Sequence, residues 1–361
     1  MLRRSADLRR LLRVLALFAV GLCLITVGLI AAAGVIGQVR IPQVLAYVDF
    51  DLNTPQRDLI LLDYDHLIQI RRSLQVDIGK LDWTQHRLIA MPYGIGGQWQ
   101  SFDSYAALPQ VEMRGEHEFN WHWSPDERYL AYSAYNPQTG MNHLLVKDTQ
   151  TGSVSQIQQP ESSSHQPLLW SPDSRALIYQ YQPLTGMGSL YLYLPETGAD
   201  HQIAADANEA AWSPDGSRIL YTRFTGGSLS PRVEIYNMET GEHRSLLPDD
   251  EYDQRSAVWS PDGAWIALAY DDALAVVRED GSDLHRLTTP FFVSSPLWSP
   301  DGRSLIFMAG SGLTSLFHIR DVQAAIDQAS ETGQPILDAL TLTLDRQIFG
   351  VLPIWQPVDW S

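Results

Sequence analysis

The sequence predicts an all-β fold: a seven-bladed β-propeller of four-stranded antiparallel blades, preceded by one N-terminal transmembrane helix. Three observations predict it. The tetrapeptide Trp-Ser-Pro-Asp recurs five times at a spacing of about 40 residues. Residues 44–74 hold three strand-like runs with no Trp strand before them, whereas the last Trp strand has nothing after it. Residues 14–36 carry no charge at all, and five arginines precede them.

The N-terminal end comes first in chain order. Residues 1–13 hold Arg3, Arg4, Arg9, Arg10 and Arg13 against Asp7 and read as a basic cytoplasmic segment. At about 1.5 Å per residue, the uncharged run 14–36 is long enough to cross a hydrocarbon core of roughly 30 Å. The positive-inside rule leaves the N-terminus in the cytoplasm and exports the body, making 14–36 a signal anchor. The alternative is a cleaved signal peptide: Ala31-Ala32-Ala33 offers a cleavage site near Ala33, and the body would then be secreted. Leu22 precedes Cys23 where a lipidation site wants a small residue, so Cys23 reads as an ordinary helix residue.

Residues 40–361 read as the propeller. The five full motif copies start at Trp123, Trp170, Trp212, Trp259 and Trp298, with aspartates Asp126, Asp173, Asp215, Asp262 and Asp301. Each runs into an apolar strand, such as Ile266-Ala-Leu-Ala-Tyr270. Degenerate copies stand at Trp83 and Trp355, so the seven tryptophans are 40, 47, 42, 47, 39 and 57 residues apart. That period suits one four-stranded sheet per repeat. Trp is expected to fill the wedge between neighbouring sheets. Pro fixes φ, the Asp side chain bonds the backbone two residues on, and Gly accepts the positive φ that closes the turn. The aspartates therefore read as turn formers and not as a carboxylate array. A second set of turns, such as Glu196-Thr-Gly198 and Met238-Glu-Thr-Gly241, separates the third strand from the fourth. The terminal runs combine into one blade, three strands from the N-terminus and one from the C-terminus, which closes the ring and removes its open edges. If residues 44–74 form a separate cap instead, six blades remain. In the long last interval, Val322, Ala325, Ile326 and Ala329 at i, i+3, i+4 and i+7 predict a short helix over roughly 321–330 on the blade's outer edge.

This repeat resembles the PD-type repeat of TolB-like propellers, which also occurs in the propeller domains of prolyl-oligopeptidase-type peptidases. The resemblance covers about residues 40–361. It implies a propeller that binds proteins or peptides at one face or at the channel mouth. The chain is too short for the additional N-terminal α/β domain of TolB itself and carries the apolar run in its place.

Composition narrows the function classes. With 45% hydrophobic residues the chain is globular and not broadly disordered. It has 25 Lys+Arg against 42 Asp+Glu, a net charge of −17, and so acidic a body repels phosphate backbones; nucleic acid is not an expected partner. One cysteine excludes a disulfide scaffold and Cys-based metal or redox motifs. No Gly-x-Ser-x-Gly elbow and no phosphate-binding loop occurs. His117 and His122 are one residue too far apart for a zinc-protease helix motif and enter a strand. His201, His243 and His285 sit at equivalent blade positions, which lie around the ring, and read as surface polar residues. The run Asp249, Asp250, Glu251 and Asp253 with Asp271 and Asp272 reads as a solvated acidic loop, with Ca²⁺ ligation as the alternative. No cofactor is expected.

Strand order puts the two sets of tight turns on one face and the longer loops on the other. Loops on a rigid scaffold are the usual place for function. Residues entering each inner strand would ring the channel mouth on that face: Lys80, Asn120, Gln166, Asn208, Glu209, Arg255, Ser294 and Ser295. The expected function is a non-enzymatic, membrane-anchored, extracytoplasmic module binding a protein, peptide or glycan there. The alternatives are an envelope hydrolase or lyase using mouth residues, and a structural subunit of a membrane complex. A convergent acid–base pair would favour the former, and a large exposed apolar patch the latter.

Overall fold

Hydrogen bonding within each Trp-Ser-Pro-Asp copy explains its composition. In the computed structural model, the serine hydroxyl donates to the aspartate Oδ1 at 2.6 Å in the copies at Ser124, Ser171, Ser213 and Ser260 and at 2.8 Å in that at Ser299. That same Oδ1 accepts the backbone N–H two residues on, from Arg128, Arg175, Ser217, Ala264 and Arg303. The serine Oγ accepts the N–H five residues on, for instance from Arg218 at 2.9 Å. Next to the aspartate the backbone is left-handed in every copy. Gly216, Gly263 and Gly302 take φ of 70–71° without cost, while Glu127 and Ser174 take 60° and 64° as non-glycine residues. Ser213 is buried, so Ser213→Ala would orphan the Arg218 N–H. The expected loss is about 1–3 kcal/mol, read from urea unfolding.

The structure describes residues 44–50, 57–63, 68–73, 78–83, 88–92, 97–102, 110–114, 118–138, 140–157, 163–224, 230–290, 292–309, 315–333, 335 and 354–355. Two compact units divide the chain, Met1–Pro42 and Gln43–Ser361, and every described residue belongs to the second. The apolar run 14–36 lies outside the described residues. Among the described residues, no helix is long and apolar enough to cross a membrane.

The strands follow chain order, sheet by sheet. The first sheet holds β1 (Val44–Phe50), β2 (Arg57–Asp63) and β3 (Ile68–Ser73). The second holds β4 (Ile78–Trp83), β5 (Leu88–Pro92), β6 (Gly97–Phe102) and β7 (Gln110–Arg114). The third holds β8 (Glu118–Trp123), β9 (Tyr129–Asn136), β10 (Met141–Asp148) and β11 (Val154–Gln156). The fourth holds β12 (Ser163–Trp170), β13 (Leu177–Pro183), β14 (Ser189–Leu194) and β15 (Ala199–Ala204). The fifth holds β16 (Ala207–Trp212), β17 (Arg218–Phe224), β18 (Pro231–Asn237) and β19 (His243–Ser245). The sixth holds β20 (Gln254–Trp259), β21 (Ile266–Tyr270), β22 (Ala273–Val277) and β23 (His285–Arg286). The seventh holds β24 (Ser294–Trp298), β25 (Leu305–Ala309) and β26 (Ser315–Ile319), followed by α1 (Val322–Thr332). Last, β27 (Ile354–Trp355) pairs antiparallel with β1, Trp355 opposite Leu45, and joins the first sheet. Each sheet is antiparallel, and each repeat tryptophan is the last residue of a strand at one edge of its sheet.

The core lies between sheets and not within one. Trp259 packs in a cluster with Leu220, Val233 and Ile235 of the fifth sheet and Ile266 and Leu268 of the sixth. Trp170 joins Tyr129, Leu144 and Val146 of the third sheet to Leu177 and Tyr179 of the fourth. Its ring stacks on Tyr129 at 5.7 Å, and its Nε1–H donates to the His122 carbonyl at 2.9 Å, across the sheet boundary. A ring at the end of one strand thus pins the neighbouring sheet.

Helix α1 starts where the Asp321 side chain accepts the Ala324 N–H at 3.0 Å and stops at Gly333, whose φ is 63°. Val322, Ala325, Ile326 and Ala329 are its buried residues. The first three belong to the core cluster of the sixth and seventh sheets, with Leu274, Leu287, Phe307 and Ile319. On the longer-loop face strands extend into the connections: β9 runs to Asn136 and β13 to Pro183. In the sixth sheet the second-to-third connection is the two-residue turn Asp271–Asp272, with φ of 50° and 61°.

Candidate functional site

The first strands of neighbouring sheets share a repeated irregularity. Three residues before the repeat tryptophan, the backbone of Asn120, Glu209, Ser256 and Ser295 is left-handed, with φ of 51°, 48°, 53° and 51°. The ladder breaks register there, between Phe119 and His122, Asn208 and Ala210, Arg255 and Val258, and Ser294 and Leu297. A bulge of this kind re-aims the side chain of the extra residue. A positive φ at a non-glycine residue costs free energy and tends to persist at functional positions.

Three of these bulges build a groove. A cavity of about 300 Å³ is lined by Glu209 and Ala210 of β16, Ser256, Ala257 and Val258 of β20, and Ser295, Pro296 and Leu297 of β24. Its polar groups sit at the bulge, and the residues towards the tryptophan are apolar. Glu209 spans two sheets: it accepts the Ser256 N–H at 2.8 Å and the Thr222 hydroxyl at 2.9 Å through Oε2, and the Ser256 hydroxyl at 3.2 Å through Oε1.

The residues assigned to the mouth from sequence do not all come together. Glu209 and Ser295 line the groove. Asn120 donates from Nδ2 to Gln166 Oε1 at 3.4 Å, and Gln166 donates from Nε2 to Gln180 at 2.8 Å, so these form a separate polar chain on the third and fourth sheets. Asn208 is half-buried, with an Oδ1 that accepts no hydrogen bond among the described residues, and Ser294 is half-buried. Arg255 is engaged with Asp272 across the hairpin, while Arg286 pairs with Asp271 at 3.2 Å. Lys80 stands at the bulge of β4, opposite Met91. Sequence reasoning chose Arg255 in the sixth sheet and missed Ser256. The signal was available: Ser256 stands three residues before Trp259, in register with Asn120, Glu209 and Ser295.

The acidic loop and the histidines are also engaged. Asp250 accepts from the Tyr270 hydroxyl and from the Tyr252 N–H at 2.8 Å. Among the described residues, no group of three or more His, Cys, Asp or Glu side chains is arranged to hold a metal ion. His243 packs on Tyr236 at 4.9 Å and bonds the Tyr221 hydroxyl through Nδ1 at 2.8 Å. His201 Nε2 is 3.5 Å from the Tyr236 hydroxyl, and His285 lies against Trp265. Tyr221 also donates to Glu234, which pairs with Arg223 at 3.3 Å. Burial, then this carboxylate, pushes the Tyr221 hydroxyl pKa well above the ordinary tyrosine value. Tyr221, Arg223 and His243, together with residues of β15, line a second cavity of about 350 Å³.

The family model described as the TolB beta propeller domain (PD40) matches residues 111–334. The chain belongs to the TolB β-propeller domain family. The matched stretch runs from the second sheet through α1 and contains the groove. A further similarity is to the uncharacterized peptidase YuxL of Bacillus subtilis (strain 168). The two are 31% identical over 128 residues, covering 32% of this chain and only 19% of that protein. Among solved structures, the oligogalacturonate lyase of Vibrio parahaemolyticus superposes with a TM-score of 0.59 at 14% identity, covering 78% of this chain and 91% of that one. The β-propeller domain of the Trilobed protease from Pyrococcus furiosus gives 0.56 at 12% identity, covering 76% and 91%. At these identities the likeness is one of fold.

Proposed function

We propose that this TolB-family chain is a non-enzymatic, membrane-anchored, extracytoplasmic propeller that binds a protein, peptide or glycan at the channel mouth. Its seven sheets are seven blades, closed into a ring by the pairing of β27 with β1. The basic residues 1–13 and the uncharged run 14–36 support an anchor with the body outside the cytoplasm. One observation carries the choice of face. The groove across β16, β20 and β24 joins an apolar floor to an oriented carboxylate, and the backbone there is held in a costly conformation in three adjacent strands. The SPD-turn face, by contrast, spends its polar groups on its own turns.

Affinity capture from solubilised membranes with the tagged full chain, read by mass spectrometry, tests this. Recovery of the partner should fall with Glu209→Ala and stay intact with Thr240→Ala in an opposite-face turn. Arg255→Ala should lower recovery less than Glu209→Ala, because Arg255 is already paired with Asp272. Full recovery in Glu209→Ala alongside loss in Thr240→Ala would put the binding face on the other side.

The enzymatic reading has one observation in its favour, the Tyr221 hydroxyl held between Glu234 and His243 beside the second cavity. It predicts that Tyr221→Phe abolishes a hydrolase or lyase activity on envelope polymers. The binding reading predicts unchanged partner capture in that variant.

A further inference from the structure

We propose that the groove takes a basic side chain, a lysine or arginine of a partner polypeptide, with its ammonium or guanidinium group on Glu209 and its aliphatic stem and apolar neighbours on the floor. This rests on reading the groove as the ligand face and names the chemistry of what enters it.

The argument begins with the partners of Glu209. All three of its donors are neutral: the Thr222 hydroxyl, the Ser256 hydroxyl and the Ser256 N–H. They orient the carboxylate without cancelling its charge. No arginine or lysine among the described residues forms an ion pair with Glu209, although Arg255 is the chain neighbour of Ser256. That arginine is committed to Asp272, and Arg223 to Glu234. Both arginines are thus committed to other carboxylates, and among the described residues no ion pair offsets the carboxylate that spans two sheets. A carboxylate fixed by neutral donors is a charge-assisted acceptor prepared for a cationic donor.

The floor selects the rest of the ligand. Ala210, Ala257, Val258, Pro296 and Leu297 are apolar, and none of the eight lining residues is aromatic. Apolar surface suits the methylene stem of a lysine or arginine, which lies along such surface while its head stays polar. It does not suit a free diamine, whose second charge would be desolvated against the floor. A sugar would find one fixed carboxylate and no ring to stack on. A cavity of about 300 Å³ has room for one long side chain and part of a neighbour, and it is open to a chain passing across it. Thr222 and Ser256 are then positioning residues for Glu209.

Fluorescence anisotropy with the full chain in detergent tests the proposal. The probe is an octapeptide capped at its N-terminus by fluorescein, with a central lysine between two leucines. Companion peptides carry arginine, norleucine or glutamate at the centre. The lysine and arginine peptides should bind at least tenfold more tightly than the norleucine peptide, and the glutamate peptide more weakly still. The preference should shrink as salt is raised. Glu209→Gln should abolish the preference while leaving norleucine binding in place. Thr222→Val, which removes one orienting donor, should reduce it in part, and thermal melts of both variants verify folding. 1,5-Diaminopentane should compete poorly. Equal binding of the lysine and norleucine peptides, or an intact preference in Glu209→Gln, would overturn the proposal. If the peptides bind equally and Ser295→Trp blocks them all, the groove is still the ligand face and only its cation preference is refuted. If no peptide binds and Ser295→Trp leaves membrane partner recovery unchanged, the choice of face fails as well.

Discussion

Replacing Trp259 by alanine should cost about 3–5 kcal/mol of folding free energy, the largest single-residue effect expected in this chain. The ring is 7% exposed and fills the space between the fifth and sixth sheets. Leu220, Val233 and Ile235 on one side and Ile266 and Leu268 on the other belong to separate sheets with no strand pairing between them. Once the ring is gone, only backbone movement of a whole sheet could close the cavity, so little of the loss is recovered by relaxation. Trp259→Phe keeps most of the volume and should lose less than half as much. Urea unfolding reads both. Glu209→Ala, on the exposed rim, should stay within about 0.5–1 kcal/mol of the parent on the same assay.

Acidification from pH 6.5 to 4 should remove about 3 kcal/mol through His318 alone. This side chain is 3% exposed, and burial, followed by the charge of Arg320, pushes its pKa down to about 4. The unfolded chain protonates this histidine near pH 6.5, so between the two values the unfolded state binds more protons and stability falls as pH falls. His165, whose pKa burial also lowers, adds to the loss in the same direction. His318→Gln should flatten the stability–pH curve across this window. Below it the slope belongs to the turns. Asp215 and Asp262 have pKa values lowered first by the hydroxyls of Ser213 and Ser260, so their contribution is complete above the ordinary carboxylate value and fades only as pH drops beneath it. Unfolding at pH 7, 5.5, 4 and 3 separates the two groups.

The blade plan was legible in the sequence because the Trp-Ser-Pro-Asp repeat encodes its own turn. The serine hydroxyl and the aspartate Oδ1 of that motif bond within five residues, so local spacing carries the information. The pairing of Trp355 beside Leu45 followed from counting strands at the two ends. The site was legible only in part. Glu209 and Ser295 were reached from their place at the entry to an inner strand, yet the bulge that aims them was hidden. Asn, Glu and Ser in left-handed conformation leave no glycine to mark it. The same bulge moved the relevant position in the sixth sheet from Arg255 to Ser256. Arg255 looked available because its partner Asp272 comes 17 residues later, in a turn that read as part of a solvated acidic loop. Likewise, His243 read as a surface polar residue and is exposed, but its contacts with Tyr221 and Tyr236 are set by sheet register and not by nearness in sequence.

The central claim is that the ligand face is the groove at the bulged ends of the first strands. Site-specific photo-crosslinking in intact cells addresses it most directly, with benzoylphenylalanine placed at the exposed Phe292, three residues before Ser295 beside the groove, and, separately, at Thr240 in a turn of the opposite face. The groove position should give a discrete adduct that disappears when Glu209→Gln is added, and the turn position should give none. An adduct from Thr240 with none from Phe292 would contradict the account.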